Sequence, residues 1–444
     1  MQSSNRNSPA RFALSLLLVL KLAMLTTSCT KTVTLLTPIA PISKQVVVQS
    51  PATDNYKVVT SGDLGLIGDG KYNNGSKLNE YMLHHRSTRI VLEKGDYVLD
   101  PVEVMTDSLS IDGNGSQITS NATQKSGNLI LIQGKRIRLS QLVLDGSSGT
   151  QQNAGIEIHG TKDVELNGVT VRNFPAFGID ISNSDNVNVY NSTVSNANTG
   201  IQFWGGDSQY HAGTQVNNLS ISGNTVFNIE TGGIWGSMGR NISLTNNNVT
   251  KCGDVGLDLE GCDDSQIRNN VVSDCTNGCI SLFFGCHRIA IASNQVKTGN
   301  DQYGVRLFTS KWNHSDIEID SNSIQANYSM AFLIEQRTAS NVRIKYNTVS
   351  GQSAQGLRSI SNDSIQIVSN SFILSNCHHG IGNEGGSYWN IISNTLHNTP
   401  TSNSGDQSSG LFIYKSPQQQ PIKNVASGNV ITGFTVAVSD NTGG

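Results

Sequence analysis

The chain has 444 residues, of which 14% are charged, with a formal net charge of −3 and an abundance of Gly, Asn and Ser. That balance excludes the basic footprint of a nucleic-acid binder, and recurrent Val/Ile/Leu runs of strand length exclude a disordered chain. Almost no segment keeps a 3.6-residue apolar period, so long helices are not expected.

The first element is a leader over residues 1–29. Arg6 and Arg11 precede the apolar run FALSLLLVLKLAML, and TTS then leads into Cys29. A basic start, a short apolar core and small residues before a cleavage point describe an export signal. The run is short and interrupted by Lys21, which argues against a spanning helix. Small residues directly before a cysteine resemble a bacterial lipoprotein signal. That resemblance implies a lipidated Cys29 as the only link to a membrane, and a protein exported to the cell envelope or beyond. Residues 30–55, rich in Thr, Pro and Val, read as a tether.

Residues 56–127 read as an N-terminal cap with the first coils of a repeat. The stretch GDGKYNNGSKLNEYMLHHRSTRIVLEKGDYVLDPVEV offers a Gly/Asp turn, one short helical segment and then strands.

From 128 to 430 the chain repeats. The fragments ISGNTV, LTNNNV, IRNNVV, IASNQV, IDSNSI, IKYNTV, IVSNSF and IISNTL place Asn224, Asn247, Asn270, Asn294, Asn322, Asn347, Asn370 and Asn394 at one position, spaced 23, 23, 24, 28, 25, 23 and 24. A second series, GIEIHG, GIDISN, GIQFWG, GIWGSM, GLDLEG, CISLFF and GVRLFT, has a similar spacing. Fixed self-similarity of this length marks a solenoid whose coils bury their apolar edges only against neighbours. Short alternating strands between Gly, Asn and Ser turns leave an all-β parallel β-helix of about twelve coils as the fold. The asparagine is expected in the left-handed conformation, with its amides stacked along the axis. Residues 431–444 read as a C-terminal tail, and 398–444 as the segment available to cover the far end.

These repeats resemble the right-handed parallel β-helix of the pectate-lyase-like superfamily, and the start resembles its N-terminal cap, with Asn73 and Asn74 where paired aspartates are usual. The resemblance implies a fold and a general association with polysaccharides, but no particular enzyme. The polygalacturonase-like pattern is not reproduced: Asp263-Asp264 fall on a turn, no His-Gly follows in the expected coil, and Arg343-Ile344-Lys345 stands without partners. The Asp-Pro-His of mannuronan epimerases is absent.

Once the repeats set the register, one outward column reads Ile130, Glu157, Asp180, Gln202, Trp235, Asp258, Ser281, Arg306, Leu333, Arg358. A second, two residues later along each strand, reads His159, Ser182, Trp204, Ser237, Glu260, Phe283, Phe308, Glu335. Rings at Trp204, Trp235, Phe283 and Phe308, with Gln202 and His159 beside them, suit stacking and hydrogen bonding to an extended sugar chain. The loop 205–216 leaves this edge, and the rings are equally consistent with lying beneath it.

Asp258 and Glu260 leave one strand on the same side and are the candidate acid/base pair of a glycoside hydrolase or polysaccharide lyase. One member should be pushed up while the other stays ionised. Arg306 is the candidate proton-abstracting base of a lyase. Glu157 and Asp180, in register on adjacent coils, are the candidate metal pair, with calcium the cation such acids would take. A non-catalytic glycan-binding protein and a purely structural solenoid remain as alternatives. Cys252 with Cys275 and Cys262 with Cys286 stack at one-coil spacing, as disulfides or as a column of buried thiols.

Overall fold

The computed structural model describes residues 55–121, 127–147, 153–352, 355–400, 408–415 and 421–441. The leader, Cys29 and all but the last residue of the tether lie outside the described residues. Among the described residues no helix is long and apolar enough to cross a membrane.

Nearly everything else is short parallel strand. One sheet holds 14 strands, from Val102–Val104 to Val436–Asn441, and a second holds 28. A representative coil contributes Val255–Glu260 to the first sheet, then Gln266–Arg268 and Val271–Cys275 to the second. Each strand pairs with its counterpart one coil away, so the molecule is a parallel β-helix. Its fourteen coils exceed the expected twelve because end coils without the asparagine repeat join the stack. Val436–Asn441, for instance, pairs along Ser409–Tyr414.

The core forms columns, because in-register stacking puts like residues above one another. Leu257 lies over Ile280 and Leu259 over Leu282, all fully buried. A glycine opens most strands of the 14-stranded sheet for a steric reason. At Gly256 a Cβ would stand 2.6 Å from the Cys279 carbonyl oxygen and from Val272 Cγ1.

The repeated asparagines form a buried spine. Asn247 donates from both its backbone N–H and Nδ2 to Asn270 Oδ1, at 2.8 and 3.0 Å. Asn270 does the same to Asn294, at 2.9 and 3.0 Å, while its Nδ2 also donates to the Leu244 carbonyl at 2.9 Å. The ladder continues to Asn429. The left-handed residue is the one before each asparagine: Asn246, Asn269, Ser293, Ser321, Tyr346, Ser369 and Ser393 all have φ near +55°. The ladder residues are conserved in type along the chain for their paired donor and acceptor, not for tolerance of positive φ.

At the N-terminal end the helix Gly75–His84 buries Leu78 and Met82. Asn73 Oδ1 accepts from the Gly75 N–H and the Asp100 N–H, both at 3.0 Å, and so ties the first residue of the helix to the bend after Asp96–Leu99. Asn74 bridges Ile67, accepting from its N–H at 2.8 Å and donating to its carbonyl at 2.9 Å. The amide pair thus supplies donors that aspartates there would lack.

Cys252, Cys262, Cys275, Cys279, Cys286 and Cys377 are buried free thiols, so the disulfide reading is set aside. Cys252 and Cys275 are in register on adjacent coils. Burial pushes the Cys262 and Cys286 thiols up, which keeps them protonated and unreactive.

Candidate functional site

The first outward column runs through consecutive strands of the 14-stranded sheet as Glu157, Asp180, Gln202, Trp235, Asp258, Ser281, Arg306, Leu333 and Arg358, in register throughout. The second runs His159, Ser182, Trp204, Ser237, Glu260 and Phe283, with Phe308 next by its N–H to the Leu282 carbonyl. One assignment is corrected. Ile130 pairs with Ile156 in the core, and Leu131 occupies the outward position beside Glu157.

Asp258 is 4% exposed, although it faces outward. The loop after Trp204 reaches its strand neighbour Glu260. Asp207 and Ala212 form an antiparallel bridge, and Ser208–Tyr210 make one turn of 3-10 helix between them. Ser208 Oγ then donates to Glu260 Oε2 at 2.8 Å. Farther out, a ring nitrogen of His211 lies 2.6 Å from the Phe284 carbonyl, and Trp312 Nε1 donates to the Gln209 carbonyl at 3.1 Å. The loop therefore crosses the coils that carry Glu260, Phe284 and Trp312. Trp204, Trp235, Phe283 and Phe308 are half-buried.

Burial dominates the electrostatics. It pushes the Asp258 carboxyl well above its ordinary range, with Glu260 and Asp254 adding like charge. It also raises Glu260 to about 7, against the Ser208 hydroxyl that favours the ionised form. Both carboxyls are raised, rather than one, because burial removes water from both. Asp180 is likewise pushed up to about 7 by burial and then by Glu157.

Five successive members of the first column each carry a buried polar atom without a partner: Asp180 Oδ1, Gln202 Oε1, Trp235 Nε1, Asp258 Oδ1 and Ser281 Oγ. Buried polar groups are ordinarily satisfied, so an unbroken run of five along one column sets it apart from the rest of the sheet. Trp235 stands where it does because residue 232 is glycine; a Cβ there would lie 2.4 Å from Trp235 Cδ1.

Arg306 is held fast. Its guanidinium donates to Glu335 Oε1 at 2.8 and 2.5 Å and to Asn277 Oδ1 at 2.9 Å, and it lies over the Tyr303 and Phe308 rings at 4.5 and 4.0 Å. These contacts hold the guanidinium in one orientation along the edge of the column. Asn277 in turn donates to Asp254 Oδ1 at 2.8 Å. Phe283 stacks on Phe284 at 3.9 Å and meets Phe308 at 5.1 Å.

Glu157 is engaged by Asn128 Nδ2 and by His159, whose Nδ1 stands 3.5 Å from Glu157 Oε1 and 3.0 Å from Ser182 Oγ. Among the described residues no group of three or more His, Cys, Asp or Glu side chains is arranged to hold a metal ion.

Sequence reasoning missed Ser208, Asp254, Asn277, Phe284 and Trp312. Asp254 and Asn277 had a signal: with Asn198 and Thr231 they occupy one turn position, joined coil to coil by backbone hydrogen bonds.

The model of the right handed beta helix region matches residues 154–314 and 213–372. The chain is a right-handed parallel β-helix protein, and no enzyme family within that fold is matched. No curated protein matches the sequence. Among solved structures it is similar to the A-module of the mannuronan C-5 epimerase AlgE4 of Azotobacter vinelandii, at TM-score 0.60 and 18% identity, over 85% of this chain and 100% of that one. It is similar also to a hyperthermoactive exopolygalacturonase of Thermotoga maritima, at TM-score 0.53 and 13% identity, over 71% and 92% of the two chains. A third is PfbA, a surface adhesin of Streptococcus pneumoniae, at TM-score 0.51 and 14% identity, over 76% and 92%. At these identities the likeness is one of fold.

Proposed function

We propose that the protein is a carbohydrate-active enzyme, a hydrolase or a lyase, that works on an extended glycan lying along the two outward columns. The observation that carries this reading is the carboxyl pair on Val255–Glu260. Asp258 and Glu260 leave one strand on one side, flanked along the axis by Trp235 and Phe283, and burial raises both. A carboxyl that keeps its proton near neutrality can protonate a glycosidic oxygen, and its neighbour, ionising near pH 7, can take a proton from water or from a sugar carbon. Asp258, the more deeply buried, is the acid and Glu260 the base. Trp235, Trp204, Phe283 and Phe308 offer ring faces to pyranose units, Gln202 and His159 hydrogen bonds, and Arg306 a fixed positive edge. That two of the fold's relatives are by name an epimerase of mannuronan and an exopolygalacturonase is consistent with a saccharide ligand.

The test is incubation with a panel of neutral and acidic polysaccharides, reading new reducing ends and the absorbance of unsaturated uronate. Turnover that Asp258→Asn and Glu260→Gln each abolish bears the proposal out; amide variants as active as the parent refute it. A chelator arm reads any calcium requirement at Glu157 and Asp180.

One observation favours a second reading, a glycan-binding surface without turnover. Glu260 is tied to Ser208 on the loop after Trp204, and a carboxylate so held reaches no substrate until the loop lifts. Glycan binding without turnover of any polymer would favour it. Export and lipidation of Cys29 belong to the same proposal and are tested by lipid labelling of the intact chain beside Cys29→Ser.

A further inference from the structure

We infer that the glycan these columns accept is uncharged, not a polyuronate; the inference rests on the reading that the columns bind a glycan at all. The five unpartnered atoms of the first column define what is missing. Gln202 Oε1 is an acceptor, Trp235 Nε1 is an obligate donor, and Ser281 Oγ and the carboxyls of Asp180 and Asp258, which keep a proton when raised, serve as either. The unmet need is for groups that both donate and accept. Sugar hydroxyls donate and accept, so a neutral glycan can complete every one of these groups. The carboxylate of an ionised uronate offers acceptors alone, and would set oxygen against oxygen wherever it met Gln202 Oε1 or an ionised carboxyl of the column.

Charge points the same way. Asp207 and Asp254 lie close enough to raise Glu260, so the groove floor and the loop after Trp204 both carry acids. The basic side chains along the columns already have acidic partners. His159 faces Glu157, Arg306 is bound to Glu335 at 2.5 Å, and Arg358 to Glu384 at 2.7 Å. Lys311, beside that loop, is spread over the rings of Tyr210 and Trp312 at 5.2 Å. A polyuronate would bring one negative charge per sugar into this surface with no unengaged cation in the columns to meet it. Like charges set face to face reject a partner more effectively than any single missing hydrogen bond.

The experiment is a binding measurement on the intact protein with matched polymers. Polygalacturonate and alginate are each set beside their carboxyl-reduced forms, and a β-glucan and a xylan each beside their carboxymethylated forms. Affinities are read by calorimetry at low and at physiological salt. The neutral member of every pair that binds is expected to bind at least about tenfold more tightly at low salt, with the ratio narrowing as salt screens the groove. Asp180→Asn, with Glu157→Gln as a second variant should the first fold poorly, is expected to narrow the ratio by improving the charged member. A charged polymer that binds more tightly than its neutral partner, or a ratio unmoved in both variants, overturns the inference and leaves the glycan reading standing. Binding by no polymer overturns both.

Discussion

Ser208 Oγ donates to Glu260 Oε2 at 2.8 Å, tying a loop residue to a strand residue 52 positions farther along the chain. The bond holds the loop against Glu260 and at the same time favours the ionised carboxylate. Ser208→Ala should therefore free the loop. The expected outcome is faster proteolytic nicking within residues 205–215, with the rest of the chain resisting as before. Limited proteolysis with mass mapping reads this directly; an unchanged cleavage pattern would show that His211 and Trp312 hold the loop unaided.

The raised carboxyls also set a sign for stability against pH. The folded protein keeps the Glu260 proton up to about 7, whereas the unfolded chain releases it near 4.5. Between those values the folded state binds more protons, so stability falls as pH rises through the window. Asp180 and Asp258 act in the same direction. Thermal melts from pH 4.5 to about 8 should thus decline, and Glu260→Gln should flatten the decline by on the order of 2 kcal/mol. A melting temperature that rises across this range would contradict the burial of the pair.

Leu259 is fully buried above Leu282 in a column with no polar group to receive a charge. Leu259→Asp should cost about 4 kcal/mol or more and yield little folded protein. Soluble expression with a native circular dichroism spectrum would show the strand register to be displaced by one residue.

The Asn270 side chain accepts two hydrogen bonds from Asn247 and donates one each to Leu244 and Asn294. Asn270→Ala leaves buried donors and a carbonyl unpaired, at about 2–4 kcal/mol. Asn270→Asp should be worse still, since its carboxylate cannot donate to Leu244 and faces Asn294 Oδ1. Denaturant titration should therefore rank wild type above Ala above Asp; the reverse order for the two variants would undo the ladder's hydrogen-bond assignment.

Trp235→Ala should weaken glycan binding by roughly 1–3 kcal/mol through loss of a stacked ring. Gly232→Ala, which drives a methyl against the Trp235 ring, should produce part of the same loss without touching any polar group. Calorimetry on both variants separates ring position from ring presence. Equal affinities for both variants and the parent would remove Trp235 from the binding surface.

The repeat made the columns readable because each coil aligns on its asparagine, and strands such as GLDLEG alternate strictly. The reading slipped at Ile130, where LILI over 129–132 is apolar at every position and alternation gives no face; Leu131 points outward there. The asparagine spine was legible as a position but not as a conformation, since side-chain pairing and tolerance of positive φ leave the same mark in sequence. The loop 205–216 was legible only as a long insertion. Its course depends on contacts such as Trp312 with Gln209, 103 residues apart, that no local pattern encodes. The shared raising of Asp258 and Glu260 follows from their burial, which alternation along one strand does not reveal.

The spine also decides where this molecule is free to vary. From Ser192 to Asn224 the coil takes 32 residues and from Asn224 to Asn247 only 23, yet the hydrogen bonds across the two steps measure 2.9 and 3.0 Å. The step to Asn429 takes 35 and keeps the same 2.9 Å. Additional residues are therefore extruded at other corners, and the loop tied to Glu260 is one such extrusion. A lineage of these proteins could exchange that loop wholesale, and with it the shape of the groove, while every rung beneath stayed unaltered.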